Sequence, residues 1–297
     1  MRRLTATKAL LPGLMTALGT TAAHADYSYN FPPPVTPIAR ETLHVHNLFM
    51  IVILVLFFAV FAIMIWSFWH HRKSQGHQAA DFTAPRSRLQ WLWTLAPFAA
   101  LLVIDYGVFG VPAYHAVLSY EDTKNDAELV VKVTGSQWLW QYEFPAEGVQ
   151  FTSRLTTPRE QIDNQQAKGE HYLLEVDNPL VLPVGKKIRF ITTSNDVIHS
   201  WWVPAFGVKR DAVPGFLREF WAKVDTPGTY RGQCSELCGK EHGFMPVVVN
   251  VVSEAEFKSW LAAQRNPAAK AAGPAASTAA TAAPATLVAQ TAAVSPK

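Results

Sequence analysis

The segment Cys234-Ser-Glu-Leu-Cys238-Gly-Lys-Glu-His242-Gly-Phe-Met245-Pro246 contains both cysteines of the chain. Thiolate, imidazole and thioether make a soft ligand set, suited to copper rather than to magnesium or calcium. One more histidine, His199, lies upstream in Val197-Ile-His-Ser-Trp-Trp-Val-Pro204. A cluster of this kind, one loop plus one remote histidine, is carried by a β-sandwich in mononuclear copper proteins. The flanking chain reads accordingly. From Glu128 onward it breaks into short β-type runs at 129–134, 138–144, 172–176, 187–193, 216–224, 228–232 and 247–252. Asp177-Asn-Pro179, Pro183-Val-Gly185, Pro214-Gly215 and Thr226-Pro-Gly228 punctuate them as turns. Short strands with this spacing predict an antiparallel sandwich or Greek-key barrel. Ser253-Glu-Ala-Glu256 has the form of a capping box and predicts a short helix with Phe257, Trp260 and Leu261 on its apolar face.

Four readings of the cysteine loop compete. A disulfide between Cys234 and Cys238 is possible outside the cytoplasm, yet it leaves His242, Met245 and His199 without a role. A Cys2His2 zinc site leaves Met245 idle and is redox-inert. A thiol-based copper carrier needs neither the methionine nor the remote histidine. An electron-transfer copper centre uses the whole set, and the second cysteine could bridge a second ion. The chemistry ranks this last reading first.

The chain before the β region is organised for a membrane. Residues 47–69 form an apolar run without charge, longer than the ~20 residues that cross a bilayer as a helix. Trp66 and Trp69 close it as interfacial aromatics. A second span covers about 91–118 and carries one acid, Asp105, which should face protein rather than lipid. Between them lie Arg72, Lys73, Arg86 and Arg88 against Asp81 alone, so the positive-inside bias makes this loop cytoplasmic and both termini external. Residues 1–25 read as a secretory signal: Arg2, Arg3 and Lys8, then an apolar stretch, then Ala23-His-Ala25 as cleavage site. Without that segment the 26 basic residues fall to 23, equal to the 23 acidic ones. No basic excess remains to attract nucleic acid, and the external part is net negative. The chain thus divides into a signal peptide (1–25), an extracytoplasmic arm (26–46), a transmembrane hairpin (47–120), a β domain (121–265) and a disordered Ala/Pro-rich tail (266–297) that cannot bury enough surface to fold.

These residues resemble a known family. Leu174-Glu-Val-Asp-Asn178, Ile198-His-Ser-Trp201, Val208-Lys-Arg-Asp-Ala-Val-Pro-Gly215, Gly232-Gln-Cys-Ser-Glu-Leu-Cys238 and His242-Gly-Phe-Met-Pro246 are similar to subunit II of haem-copper cytochrome c oxidase. Gln137-Trp-Leu-Trp-Gln-Tyr-Glu143 is similar to that family's aromatic stretch, and the hairpin before a β domain fits too. The resemblance implies a cupredoxin-like Greek-key sandwich after a two-helix transmembrane hairpin, in a bacterial inner membrane with the metal domain in the periplasm. It implies two copper ions (the CuA centre) bridged by Cys234 and Cys238, with His199, His242, Met245 and the Glu236 carbonyl as further ligands. It also implies a magnesium ion reached by the Glu236 side chain and shared with subunit I. Trp138 would receive the electron from cytochrome c, and Glu143, Asp177 and Asp196 match acidic docking positions. Partners would be subunit I, the other oxidase subunits and cytochrome c, with oxygen reduction and proton pumping residing in the complex. Two features depart from the pattern: Gln90 stands where many relatives have a glutamate linked to proton uptake, and the aromatic stretch reads Trp138-Leu139-Trp140. No Cys-x-x-Cys-His is present, so no covalently attached haem is expected.

Overall fold

The computed structural model describes residues 30–78 and 88–266. The signal peptide expected at 1–25, the middle of the interhelical loop and the tail beyond Asn266 lie outside the described residues. Helix α1 spans Pro37–His70, so it starts ten residues before the expected position and absorbs the second half of the predicted arm. The reason is local: Thr36 caps the first turn by accepting a hydrogen bond from the Ala39 N–H, and Pro37 is preset for a helix start. Its 34 residues make a rod about 51 Å long, well beyond a bilayer's hydrocarbon core of about 30 Å. The apolar 50s and 60s are the lipid-facing part, and the first turns stand outside.

The second span is interrupted. Helix α2 (Arg88–Leu102) passes into a π-helical turn (Val103–Phe109) that holds Asp105, and then into α3 (Gly110–Glu121). Both spans are long and apolar enough to cross a membrane, with mean hydropathies of 3.4 and 1.8.

Ten strands follow: β1 (Leu129–Ser136), β2 (Leu139–Phe144), β3 (Val149–Ser153), β4 (Leu180–Pro183), β5 (Lys187–Ser194), β6 (His199–Val203), β7 (Val208–Ala212), β8 (Arg218–Lys223), β9 (Gly228–Cys234) and β10 (Pro246–Val252). They form two five-stranded sheets, ordered β3-β2-β1-β5-β8 and β4-β10-β9-β6-β7. The sheets are mixed rather than purely antiparallel, because β1 pairs with β5, and β10 with β4, in parallel. Such pairs need long crossovers, and the chain between β1 and β5 supplies one by way of β2, β3 and β4. The run at 172–176 is not a strand: only Val176 bridges, to Leu155, Tyr172 and Leu173 lie in a turn, and Leu174 and Glu175 are irregular. Its β-forming residues lack a neighbouring edge to pair with. Conversely β3, β4, β6 and β7 were not expected. β6 is buried at four of its five positions, so the alternation that marks a half-exposed strand is missing.

The sheets close on aromatic rings. Trp140, Tyr142, Phe144, Phe190, Trp201, Phe206 and Phe220 are fully buried. Phe190 and Phe220 stack at 4.6 Å, and the Trp201 indole N–H donates to the Tyr142 hydroxyl at 3.2 Å. Full burial of one such side chain contributes about 1.5–3 kcal/mol, so this cluster dominates the domain's stability. Helix α4 (Glu254–Arg265) starts at the expected capping box and covers one end, with Trp260 edge-on to Phe144 and Phe151.

The hairpin and the sandwich are joined at both ends of the external side. The Thr36 hydroxyl donates to the Phe206 carbonyl at 2.7 Å, and Ile38 and Ala39 are buried. The Trp221 indole N–H donates to the Ser119 carbonyl at 2.7 Å, close to the end of α3. Arg40 pairs with Asp225 at 2.7 Å, but both are substantially exposed. A surface ion pair of this kind is worth roughly 0–1 kcal/mol, so the buried cap and the indole bond set the junction.

A close backbone approach fixes the sheet that carries β6 and β9. A Cβ on Gly232 would lie 1.9 Å from the Trp202 carbonyl oxygen. Gly232→Ala is therefore expected to destabilise the β domain by about 3 kcal/mol, as overpacking at an unyielding site does; denaturant unfolding followed by tryptophan fluorescence measures it.

Candidate metal centre

β9 ends at Cys234 and β10 begins at Pro246, and the two strands are antiparallel neighbours with Pro246 opposite Gln233. The intervening loop is thus clamped at both ends by one ladder. It carries Cys238 and a 3₁₀ turn at His242–Phe244, and it delivers Met245 directly before β10. β6 starts with His199 on the other side of β9, where Trp201 pairs with Cys234. The Ser235 N–H bonding to the Ser200 carbonyl at 3.0 Å locks this side. Two strand pairings therefore bring residues far apart in sequence into one pocket.

The donors converge. The two sulfurs lie 3.9 Å apart, and both cysteines are free and buried. Cys234 Sγ is 4.0 Å from His199 Nδ1 and 3.4 Å from the Glu236 carbonyl oxygen. Cys238 Sγ is 3.4 Å from His242 Nδ1 and 3.6 Å from Met245 Sδ. Two donors that share a tetrahedral ion at ordinary N and S bond lengths sit about 3.3–3.8 Å apart. The donor set and its spacing fit a soft metal ion. His199, Cys234 and Cys238 alone place their ligand atoms within 4.8 Å of one another.

The two thiols are inequivalent. Burial alone would raise the Cys234 thiol, but hydrogen bonds with His199 and with the backbone of Ser200 and Glu236 outweigh it and hold it below the ordinary range. Burial, together with repulsion from a Cys234 thiolate, pushes Cys238 up to about 12. The pocket favours one thiolate and resists the second. A cation between them would lift that resistance, so metal binding should release the Cys238 proton.

Around the donors lies a supporting set. Asp196 Oδ1 is 2.8 Å from His199 Nε2, its Oδ2 accepts from the Gln137 N–H at 2.7 Å, and Oδ1 also accepts from the Val197 N–H. Burial opposes ionisation of Asp196, but these hydrogen bonds keep its pKa low. The Gln137 amide donates to the Cys238 carbonyl at 2.8 Å. The Trp140 indole N–H donates to the Met245 carbonyl at 3.1 Å, and the ring meets His199 edge-on. A Cβ on Gly135 would lie 2.8 Å from the His199 ring, so this residue must be small. Of this set, sequence reasoning named Asp196 only as a surface acid, and missed Gly135, Gln137 and Trp140 as supports. A glycine inside a strand signals close approach, but Gly135 fell just past the run read at 129–134, and only the structure extends that strand to Ser136.

Trp138 sits in the β1–β2 turn, half-buried, over the loop itself. A Cβ on Gly239, next to Cys238, would lie 3.1 Å from its ring. The three expected docking acids separate. Asp196 is beside Trp138 through Gln137. Glu143 lies at the far end of β2 and pairs with Lys132 at 3.2 Å. Asp177 accepts from the Arg154 N–H at 2.7 Å. The Glu236 side chain is exposed, next to Leu237, whose side chain is also largely in solvent.

Comparison with known proteins agrees in both halves. The family model "Cytochrome C oxidase subunit II, periplasmic domain" matches residues 129–252, and "Cytochrome C oxidase subunit II, transmembrane domain" matches residues 24–111. Cytochrome c oxidase subunit 2 of Cereibacter sphaeroides is 36% identical over 244 residues, covering 78% of each chain. That of Arabidopsis thaliana is 34% identical over 262 residues, covering 87% of this chain and 97% of the relative. The crystal structure of the periplasmic domain of subunit II of cytochrome oxidase from Bradyrhizobium japonicum is 44% identical and covers 47% of this chain and 94% of its own, with a TM-score of 0.42.

Because Asp196 orients the His199 ring, Asp196→Ala should weaken metal binding by roughly 10–100-fold, the usual cost of removing such a partner. Competition against a chelator of known affinity measures this, with circular dichroism as the check that the β domain is folded.

Proposed function

The chain belongs to the cytochrome c oxidase subunit II family, and on that premise we propose that it is the electron-accepting subunit of such an oxidase. It takes electrons from a cytochrome c at a dinuclear copper centre and passes them to the haem of subunit I, where oxygen is reduced to water and protons are pumped. The observation that supports this reading best is the convergence of two cysteine sulfurs, two imidazoles, one thioether and one carbonyl on a single pocket. A disulfide would need the sulfurs about 2.0 Å apart, and a zinc site would leave Met245 unused.

Cys234, Cys238, His199, His242, Met245 and the Glu236 carbonyl would hold two copper ions. Bound copper would supply one-electron chemistry with the charge spread over both thiolates. The protein's own part is rigidity and dryness. Cys234, Cys238, Met245 and His199 are all at most 3% exposed, so water cannot reorganise around them. The β9–β10 ladder and the Asp196–His199 contact hold the donors in place whichever charge the site carries, which keeps the reorganisation small.

Trp138 is the proposed electron acceptor at the surface, since its ring lies on the loop residue after Cys238. Asp196 stands next to it as a docking acid as well as a support for His199; Glu143 and Asp177 would contribute at longer range. A net-negative external domain would steer a positively charged cytochrome c. The exposed Glu236 side chain would reach a magnesium ion shared with subunit I. The chain is a membrane protein, and the proposed setting is a bacterial inner membrane with the β domain in the periplasm.

Copper loading of the β domain, read by metal analysis and electron paramagnetic resonance, tests the proposal. Two coppers sharing one unpaired electron are expected; one labile copper, or preference for zinc, would refute it. In the assembled oxidase, Trp138→Ala should slow electron uptake from reduced cytochrome c by at least about tenfold, equivalent to ~1.4 kcal/mol, with the copper spectrum unchanged. A lost spectrum would make Trp138 a structural residue instead.

A further inference from the structure

The described residues contain a second group of imidazoles, at the opposite end of α1 from the β domain. The helix ends at His70, and the His71 N–H caps it by donating to the Ser67 carbonyl at 2.9 Å. A 3₁₀ turn at Lys73–Gln75 follows, and Gly76, at a φ of 83°, reverses the chain. The reversal returns His77 to the helix end. Ring centroids are 5.1 Å apart for His70 and His71, 5.3 Å for His71 and His77, and 5.8 Å for His70 and His77.

These separations have a chemical meaning. Three imidazoles sharing a tetrahedral ion at Zn–N distances near 2.0 Å have ring centres about 5.2 Å apart. The triangle of rings is close to that size, and closing on an ion requires the ring nitrogens to turn toward its centre, since among the described residues the ligand atoms of His199, Cys234 and Cys238 alone already lie within 4.8 Å of one another. The rings are also oriented by neighbours. His70 stacks on Trp66 with centroids 5.1 Å apart and planes 11° apart. His71 Nδ1 lies 3.2 Å from the Ser67 carbonyl oxygen. The Ser67 hydroxyl lies 3.4 Å from the same nitrogen, so the ring is anchored through Nδ1. Metal-binding histidines are typically held in this way, through the other ring nitrogen. Arg72 is drawn over the Trp69 ring at 5.1 Å. All three histidines are exposed and open to ions in water.

We propose that His70, His71 and His77 form a second metal site, for a divalent ion with affinity for imidazole such as zinc, nickel or copper. The site is separate from the cysteine loop by the length of α1 and uses none of its residues. Three imidazoles leave a fourth position for water, and a bound ion would fasten the start of the interhelical segment to the helix end. Under the orientation expected from the loop charges, it would sample the metal ions of the compartment opposite the β domain.

The test uses the full-length chain in detergent, with Cys234→Ser and Cys238→Ser in every arm so that the cysteine loop does not take up the probe. Zinc is titrated calorimetrically into this parent, into His70→Ala/His71→Ala/His77→Ala, and into Gly76→Val. The triple variant should lose one equivalent of bound zinc. Gly76→Val keeps all three imidazoles but strains the reversal, and should weaken that same equivalent by at least about tenfold, as misplaced supports of metal ligands do. The same stoichiometry and affinity in parent and triple variant would overturn the proposal, and unchanged binding in Gly76→Val would overturn the role of the reversal. Because the three histidines are exposed, their removal leaves the packed interior intact.

Discussion

Two thiols 3.9 Å apart in a buried pocket resist ionising together unless a cation lies between them. The rest of the β domain follows from that constraint. His199 and backbone hydrogen bonds stabilise one thiolate, while the second sulfur is held protonated at an elevated pKa. A pocket so arranged has a standing demand for positive charge. The loop that carries it is clamped between two paired strands, so the demand cannot be relieved by the sulfurs moving apart.

The clamp also explains how the surrounding parts are disposed. Trp140 and Gly135 shape the space for His199 from the opposite sheet, the one by supporting the ring edge and the other by having no side chain. Asp196 connects the imidazole to Gln137, and Gln137 connects in turn to the Cys238 carbonyl. Trp138 is thereby held against the loop by the same contacts that orient the ligands. The proposed site of electron entry and the positioning of the ligands share one short network. On the membrane side, the buried Thr36 cap and the Trp221–Ser119 bond fix the sandwich to both spans. The centre consequently stands at a set position relative to the bilayer.

Much of this was legible in the chain, and the failures have physical causes. The two spans could be read because a long apolar run is a local property, although the Thr36-Pro37 start of α1 was overlooked. The capping box at Ser253 was read correctly for the same reason: all its partners lie within one turn. The run at 172–176 has strand-forming residues but only a single bridge, since pairing depends on a neighbour that propensity does not see. β6 was missed because burial on both faces removes the alternation that betrays a strand.

The amino-acid sequence by itself determined the class of chemistry: the soft donors, their close spacing in one loop, and the presence of a membrane hairpin before a β region. Side-chain identity and local spacing are enough for that. His199, 35 residues before Cys234, was already expected in the donor set; only the tertiary structure decided how it reaches the loop, and that Asp196 serves the histidine as well as the surface. It also decided that Gly135 and Trp140 build the wall. Those relations arise from pairing between strands distant in sequence, where the geometry depends on the whole sandwich closing and not on any one segment.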